Sequence, residues 1–247
     1  ETLLTRPTRL LVVNSPHNPT GCTFDVGQWE RLHAACVRRG AWLLSDEVYR
    51  GLETELPTGP AAWTAGAHAI SVGDVSKSLG MPGLRVGWAA TSDATLRAAL
   101  EVVKDFTSIA VAGPSQVIAT RAVRQWSAVV GRNLALLESN LASFERFLAE
   151  FPGHFAAPRG SGGPTRLVRW SGPGSAPAFC ERLRETADVL LLPSSEFDYD
   201  DGHLRFGLGR RDVVESLARL RAFLHADRPE QRRAEPAAVP LARAHDA

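Results

Sequence analysis

The chain has 247 residues, 44% hydrophobic and 22% charged, with a formal net charge of +1. That length suits one large domain or two small ones, and the even charge balance, with no basic run interleaved with aromatics, argues against a nucleic-acid surface. No apolar stretch approaches the ~20 residues that cross a bilayer, and Glu1–Arg9 lack a signal-peptide pattern, so a cytoplasmic protein with no membrane partner is expected. Cys22, Cys36 and Cys180 form no CxxC pair and the seven histidines show no ligand spacing, so neither a disulfide framework nor a metal site is expected. The chain opens on Glu1 and meets an apolar strand by Leu10, an abrupt start that leads us to expect a missing N-terminal part.

Leu10–Val13 is a continuous apolar run ended by Asn14-Ser15-Pro16, the pattern of a strand buried on both faces of a parallel sheet. The loop His17-Asn18-Pro19-Thr20-Gly21 follows, and then a helix capped by Thr23 or Asp25, with Trp29, Leu32, Ala35 and Cys36 at helical spacing. Ala41–Leu44 is a second strand, ending in Ser45-Asp46-Glu47-Val48-Tyr49 where open α/β sheets hold their ligands. A third strand, Ala69–Val75, delivers Lys77 to a turn, and Leu84–Ala90 is predicted as a fourth, followed by a helix through Val103. Strand, helix, strand, loop, strand reads as a parallel α/β layer.

From Pro114 onward, apolar residues from Val117 to Trp126 and from Leu134 to Leu148 predict two helices or one kinked helix. Strands near Arg166–Trp170 and His203–Leu208, with helices at Ala176–Ala187 and Asp212–Leu224, predict a small α+β domain. The divisions expected are residues 1–126, 127–225, and a disordered tail over 226–247 without periodicity.

The stretch from Gly73 to Trp88 carries the chemistry. A lysine between a strand and a turn, with an arginine eight positions on, can form a Schiff base beside an anchored phosphate. Alone, such a lysine is more often a solvated turn residue. Asn18 in HNPTG, Asp46 and Tyr49 in DEVY, Lys77 in SKS and Arg85 in GLRVGW together resemble the fold type I enzymes dependent on pyridoxal phosphate, specifically the class I and II aminotransferases. The resemblance runs from Leu10 to about Leu224 and matches the C-terminal three fifths of a typical member. It implies part of a large cofactor-binding α/β domain with a mostly parallel sheet, followed by a small α+β domain, in an enzyme that works as a homodimer.

The same resemblance implies roles. Lys77 would form the Schiff base and then move the α-proton, Asp46 would keep the pyridine nitrogen protonated, and Tyr49 and Asn18 would donate to the ring oxygen. Arg85 would clasp the phosphate through its planar fork. His203-Leu204-Arg205-Phe206-Gly207-Leu208 resembles the strand whose arginine binds the substrate carboxylate, which assigns Arg205, and the Asn18–Pro19 bond would be cis. The reaction implied exchanges an amino group between an α-amino acid and a 2-oxo acid. Elimination, replacement or ring closure at the β or γ carbon, as in capreomycidine-forming enzymes, uses the same residues, and a cofactor-sensing domain of a transcription regulator is a third reading.

This chain departs from the family where a serine usually contacts the phosphate, three positions before the lysine. Here the residue is Asp74, which would repel a phosphate, with Ser76 or Ser78 as substitutes. The groups family members carry before the matched region, a phosphate-binding helix start and a ring-stacking aromatic, have no counterpart here, so little activity is expected of this segment alone. Arg159–Gly163 reads as a flexible hairpin or a domain-edge turn rather than a phosphate loop, and Asp198–Gly202 as a solvated turn rather than a calcium loop. Trp29, Trp42 and Trp126 read as core, and Trp88 as a residue that could approach the pocket.

Overall fold

The computed structural model describes residues 7–158 and 160–227, so Glu1–Arg6, Arg159 and all but the first two residues of the predicted tail lie outside the described residues. The first sheet has the order β1 (Leu10–Asn14), β2 (Trp42–Asp46), β3 (Ala69–Asp74), β4 (Gly87–Ala90). The first three strands are parallel, with Leu11 opposite Leu43 and Leu43 opposite Ala69. Helix α1 (Val26–Arg38) connects β1 to β2. Its start is fixed by a capping box, in which the Asp25 carboxylate accepts from Gln28 N–H and the Gln28 side chain accepts from Asp25 N–H. Trp29, Ala35 and Cys36 of α1 then pack with Leu43, Leu11 and Val13 into a small core on one face of the sheet.

Two strand expectations fail for one reason: an apolar run does not reveal what covers it. Leu10 and Val12 are 48% and 59% exposed, because strand alternation turns them to the face opposite α1 and no described residues cover them there. The predicted strand Leu84–Ala90 begins only at Gly87, after a short 3₁₀ turn over Pro82–Leu84, and it runs antiparallel to β3 rather than parallel. Gly73 faces Trp88 across that pairing. A side chain at Gly73 would strike the indole, its Cβ standing 2.6 Å from a ring carbon.

After β4 come α2 (Ala94–Thr107), α3 (Gly113–Arg124) and α4 (Trp126–Glu150), so the predicted pair of helices after Pro114 is present and breaks at Gln125. Both α2 and α3 leave apolar side chains outward, Phe106 at 88% exposure and Ile109, just past α2, at 77%. The second sheet is antiparallel throughout, in the order β5 (Phe155–Ala156), β6 (Thr165–Trp170), β8 (His203–Gly207), β7 (Leu192–Pro193). It packs with α4, α5 (Ala176–Ala187) and α6 (Val213–Ala226) around Phe144, Phe147, Phe155, Phe179 and Phe206. The Trp170 indole stacks on Phe179 at 3.9 Å between ring centres and donates its N–H to Gly174 O. This larger core also takes in Tyr49, Leu52, Val75 and Leu79, tying the second sheet to the loops that leave the first. Trp29 belongs to the smaller core and Trp126 packs against the larger, while Trp42, expected in the core, is only half-buried beside His68 and joins neither cluster. Among the described residues no helix is long and apolar enough to cross a membrane, and no group of three or more acidic, histidine or cysteine side chains could hold a metal ion.

Candidate active site between the two sheets

The C-terminal ends of β1 and β2 are locked to each other by one side chain. Asn14 Nδ2 donates to Asp46 O at 3.1 Å, and Asn14 Oδ1 accepts from Asn18 N–H at 2.8 Å. A single amide thus places both the Asp46 backbone and the start of the Asn18-Pro19 turn. Both Ser15–Pro16 and Asn18–Pro19 are cis; the second was expected and the first was not. His17 Nδ1 pairs with Thr20 Oγ1 at 2.8 Å, and burial pushes the imidazole pKa down, so a loop role accounts for it. Asp46 Oδ1 accepts from Val48 N–H at 3.1 Å, and its other oxygen has no hydrogen-bond partner among the described residues.

Asp74 ends β3, and its carboxylate answers the question its position raised. Oδ1 accepts from Ser76 N–H at 2.9 Å and from Lys77 N–H at 3.3 Å, so the charge shapes the turn that presents Lys77. The Ser78 hydroxyl is buried and donates to Val48 O, which removes it as a phosphate contact, whereas Ser76 lies at the lip of two clefts. Lys77 is exposed and has no ion-pair partner among the described residues. Arg85 is also exposed and without a carboxylate partner, its Nη1 donating only to Pro82 O at 3.1 Å. Its backbone sits in the left-handed region at φ 54°, which costs a side-chain-bearing residue about 1 kcal/mol or more.

From the second sheet, Arg205 Nη1 reaches Asn18 Oδ1 at 3.4 Å, across 187 positions of sequence, with its guanidinium over the Phe197 ring at 5.3 Å. The Tyr49 phenol lies in the same field. Burial raises its pKa most, the Arg205 charge opposes that, and the carboxylates of Asp46 and Asp74 raise it further. One cleft of about 790 Å³ is lined by Tyr49, Ser76, Lys77 and Pro164 between the sheets. Beside it a wider groove of about 1320 Å³ is lined by Asp74, Ser76, Arg85, Trp88 and Arg97. The structure therefore groups Asn18, Arg205, Tyr49, Asp46 and Asp74, sets Lys77 in the adjoining cleft with Tyr49, and puts Arg85 in the neighbouring groove. Trp88 does line that groove.

The pattern described as aminotransferase class I and II matches residues 1–219. The chain belongs to that family. Arginine–pyruvate transaminase AruH of Pseudomonas aeruginosa is 32% identical, over 88% of this chain and 56% of that protein. Capreomycidine synthase of Streptomyces vinaceus is 28% identical over the same shares. Among solved structures, a PLP-dependent aminotransferase from Streptococcus suis superposes with a TM-score of 0.84 at 29% identity, covering 91% of this chain and 60% of that one. The aminotransferase family chain described here thus spans little more than half the length of the curated relatives it matches.

Two residues that shape the loops around these side chains escaped sequence reading. Asn14 reads as a strand-ending residue, and only the three-dimensional pairing shows that its amide serves two partners; an Asn placed four residues before an Asn-Pro was the available signal. Arg166 reads as an ordinary strand residue, yet its guanidinium is buried on the Gly160–Thr165 turn. The flexible-hairpin expectation for Arg159–Gly163 is corrected accordingly: Gly160, Gly162 and Gly163 are buried and hydrogen-bonded to their surroundings, in a turn that leads into β6. The Asp198–Gly202 segment is a turn, closed by Asp200 Oδ1 accepting from Gly202 N–H and paired with His203 Nδ1 at 2.6 Å.

Proposed function

We propose that this chain carries the lysine half of a pyridoxal-phosphate-dependent aminotransferase that exchanges an amino group between an α-amino acid and a 2-oxo acid. The observation that carries the reading is the reach of Arg205 from the second sheet to Asn18, beside a cleft holding Lys77 and Tyr49. The donor set fits the cofactor: a guanidinium without a carboxylate partner (Arg85), an amine without an ion pair (Lys77) and a carboxylate with an uncommitted oxygen (Asp46). When bound, pyridoxal phosphate supplies an electrophilic carbon for amines and an aromatic sink for the electron pair left at an amino acid's Cα.

The residues' own roles follow from their charges. Arg85 binds the phosphate as a bidentate cation. The Asp46 carboxylate holds a proton on the pyridine nitrogen by Coulomb attraction. Tyr49 keeps its phenolic proton, as the raised pKa requires, and donates it to the ring oxygen together with Asn18 Nδ2. Arg205 takes the substrate carboxylate, with Asn18 Oδ1 holding its fork in place. With the cofactor bound, the Lys77 amine would be the group that takes the proton from the substrate Cα. Capreomycidine synthase among the relatives supports a second reading, in which the same Lys77 and Arg205 serve ring closure or other β/γ-carbon chemistry.

This reading brings with it a homodimer, a cytoplasmic location supported by three free cysteines, and a division near residue 126 supported by the first sheet lying wholly before it and the second wholly after. The test has two arms. Incubation of the full-length enzyme with pyridoxal phosphate and borohydride should leave a pyridoxyl group on Lys77 by peptide mass spectrometry, and none at that position in Lys77→Ala. With amino donors, pyridoxamine phosphate should accumulate; labelling of Lys77 without that product for any donor would favour the second reading, and no label on Lys77 would sink both.

A further inference from the structure

The Gly160–Thr165 turn, which leads into β6, lies between the two loops that leave the first sheet. Arg166 is 4% exposed and spends its guanidinium on that turn alone. Nη1 donates to the carbonyls of Gly162 at 3.1 Å, Gly163 at 3.0 Å and Thr165 at 2.8 Å, and Nη2 donates to Gly160 O at 3.3 Å. Among the described residues no carboxylate stands within ion-pair distance of it. All its hydrogen bonds go to carbonyls; burial pushes its pKa down and the charges of Glu55 and Glu145 offset that only in part, whereas an apolar side chain of similar size would fill the space without the desolvation cost. What the guanidinium adds is shape: a planar fork with fixed donor directions imposes one conformation on the turn.

The turn in turn grips the ring-side loops. Gly162 N–H donates to Gly21 O at 2.9 Å and Gly163 N–H to Leu52 O at 2.8 Å. Thr23 N–H donates to Ser161 Oγ at 2.9 Å, and Thr54 N–H to Ser161 O at 2.9 Å. Gly21 lies three residues beyond Asn18, and Leu52 three beyond Tyr49. Packing here is tight: a Cβ at Gly21 would stand 2.5 Å from Arg166 Nη1, and one at Gly160 would stand 2.6 Å from Nε. On its other side Arg166 is continuous with β6, where the next residue, Leu167, is the register partner of Arg205.

We propose that Arg166 is a positioning residue: by fixing the Gly160–Thr165 turn it sets the loops of Asn18 and Tyr49 against the strand that carries Arg205. The functional part of this inference rests on the roles proposed above for those three residues; the clasp itself is measurable without any ligand. Hydrogen exchange on the ligand-free chain should show the amides of Thr23, Thr54, Gly162 and Gly163 exchanging about ten- to a hundredfold faster in Arg166→Met, while β2 and β8 keep their protection. Unchanged exchange at Thr23 and Thr54 in a folded Arg166→Met would overturn the clasp. If that variant loses protection throughout, Arg166→Lys decides. It keeps the charge without the fork, so wild-type rates at all four amides would overturn the proposal and acceleration confined to them would support it.

The second readout is kinetic. Because Arg205, held by Asn18, takes the substrate carboxylate, Arg166→Lys in the full-length enzyme should raise KM for the amino donor about tenfold with kcat within about threefold. Loosened loops with an unchanged KM would reduce Arg166 to a purely structural residue and overturn the positioning role. Absence of turnover in the full-length wild-type enzyme would count against the proposed function, while the exchange data on this chain would still decide the clasp.

Discussion

The second sheet has α4, α5 and α6 packed with it, and its aromatic side chains meet in a continuous cluster from Phe144 to Phe206. Among the described residues the first sheet has α1 on one face only; on the other, Leu10 and Val12 stand exposed, and beyond it α2 and α3 point Phe106, Val117 and Ile118 outward. The candidate chemistry is divided unequally between them. Asn18, Asp46, Tyr49, Lys77 and Arg85 all follow strands of the half-covered sheet, and only Arg205 comes from the well-packed one. Apolar burial therefore holds the second sheet together, whereas the ends of the first are held by directed polar bonds, Asn14 on Asp46 and Asn18, Asp74 on Ser76 and Lys77. Packing tolerates small shifts of a side chain; a hydrogen-bonded turn either keeps its geometry or loses it, which suits residues that must meet a reacting atom.

The comparison is sharpened most by truncating the aromatic cluster. Phe179→Ala removes a fully buried ring stacked on Trp170 and should cost about 3–5 kcal/mol in urea unfolding, enough to unfold a marginal chain. Cys180, on the same helix, tests burial chemically. Its thiol is pushed up to about 12 by desolvation, so alkylation at pH 8 should run about a thousandfold slower than at a thiol of ordinary pKa, and Cys22, which is exposed, should react first. The linked pH effect has a definite sign: above about pH 9 the unfolded chain releases this proton and the folded chain keeps it, so stability should fall as the solution becomes alkaline.

Asn140 marks where the second sheet also depends on a directed bond. Its Nδ2 donates to Leu208 O at 2.8 Å and Arg210 O at 2.7 Å, fixing the chain after β8, and Asn140→Leu should cost about 1–3 kcal/mol by stranding those carbonyls. On the first sheet, Asp25→Ala removes the capping box of α1 and should cost about 1 kcal/mol. The smallest change belongs to the open face: Val12→Thr, at a residue 59% exposed, should stay within about 0.5 kcal/mol. A loss above 2 kcal/mol there would mean that the face is covered in solution and that the contrast between the sheets is wrong.

What the sequence made legible was local. Asp25 and Gln28 announce the start of α1, and α5 runs from Ala176 to Ala187 as its periodicity predicts, because the Ser175 hydroxyl caps it by accepting from Ala178 N–H. The order of HNPTG, DEVY, SKS and GLRVGW carried the family. Periodicity missed what depends on neighbours. Leu84 and Val86 read as strand because they are apolar, yet Arg85 between them takes a left-handed backbone and delays β4 until Gly87. Strand direction is likewise invisible in an apolar run, so the antiparallel pairing of β4 had no sequence signal. Arg166 alternates properly within β6, and nothing in that alternation says that its guanidinium is buried on carbonyls from its own preceding turn.

The reversal of β4 carries a consequence for how this segment tolerates length changes. Residues 77–86 form the return leg between two paired strands, with Gly87 opposite Asp74 and Trp88 opposite Gly73. An insertion or deletion of one residue there would slide the pairing by one step and exchange the sheet faces of Gly87 and Trp88, putting the indole where even a Cβ would stand 3.0 Å from the Gly73 carbonyl oxygen. The distance in sequence from the amine to the guanidinium is thus a ruler set by the hairpin, whereas the connection between β2 and β3 has no such gauge.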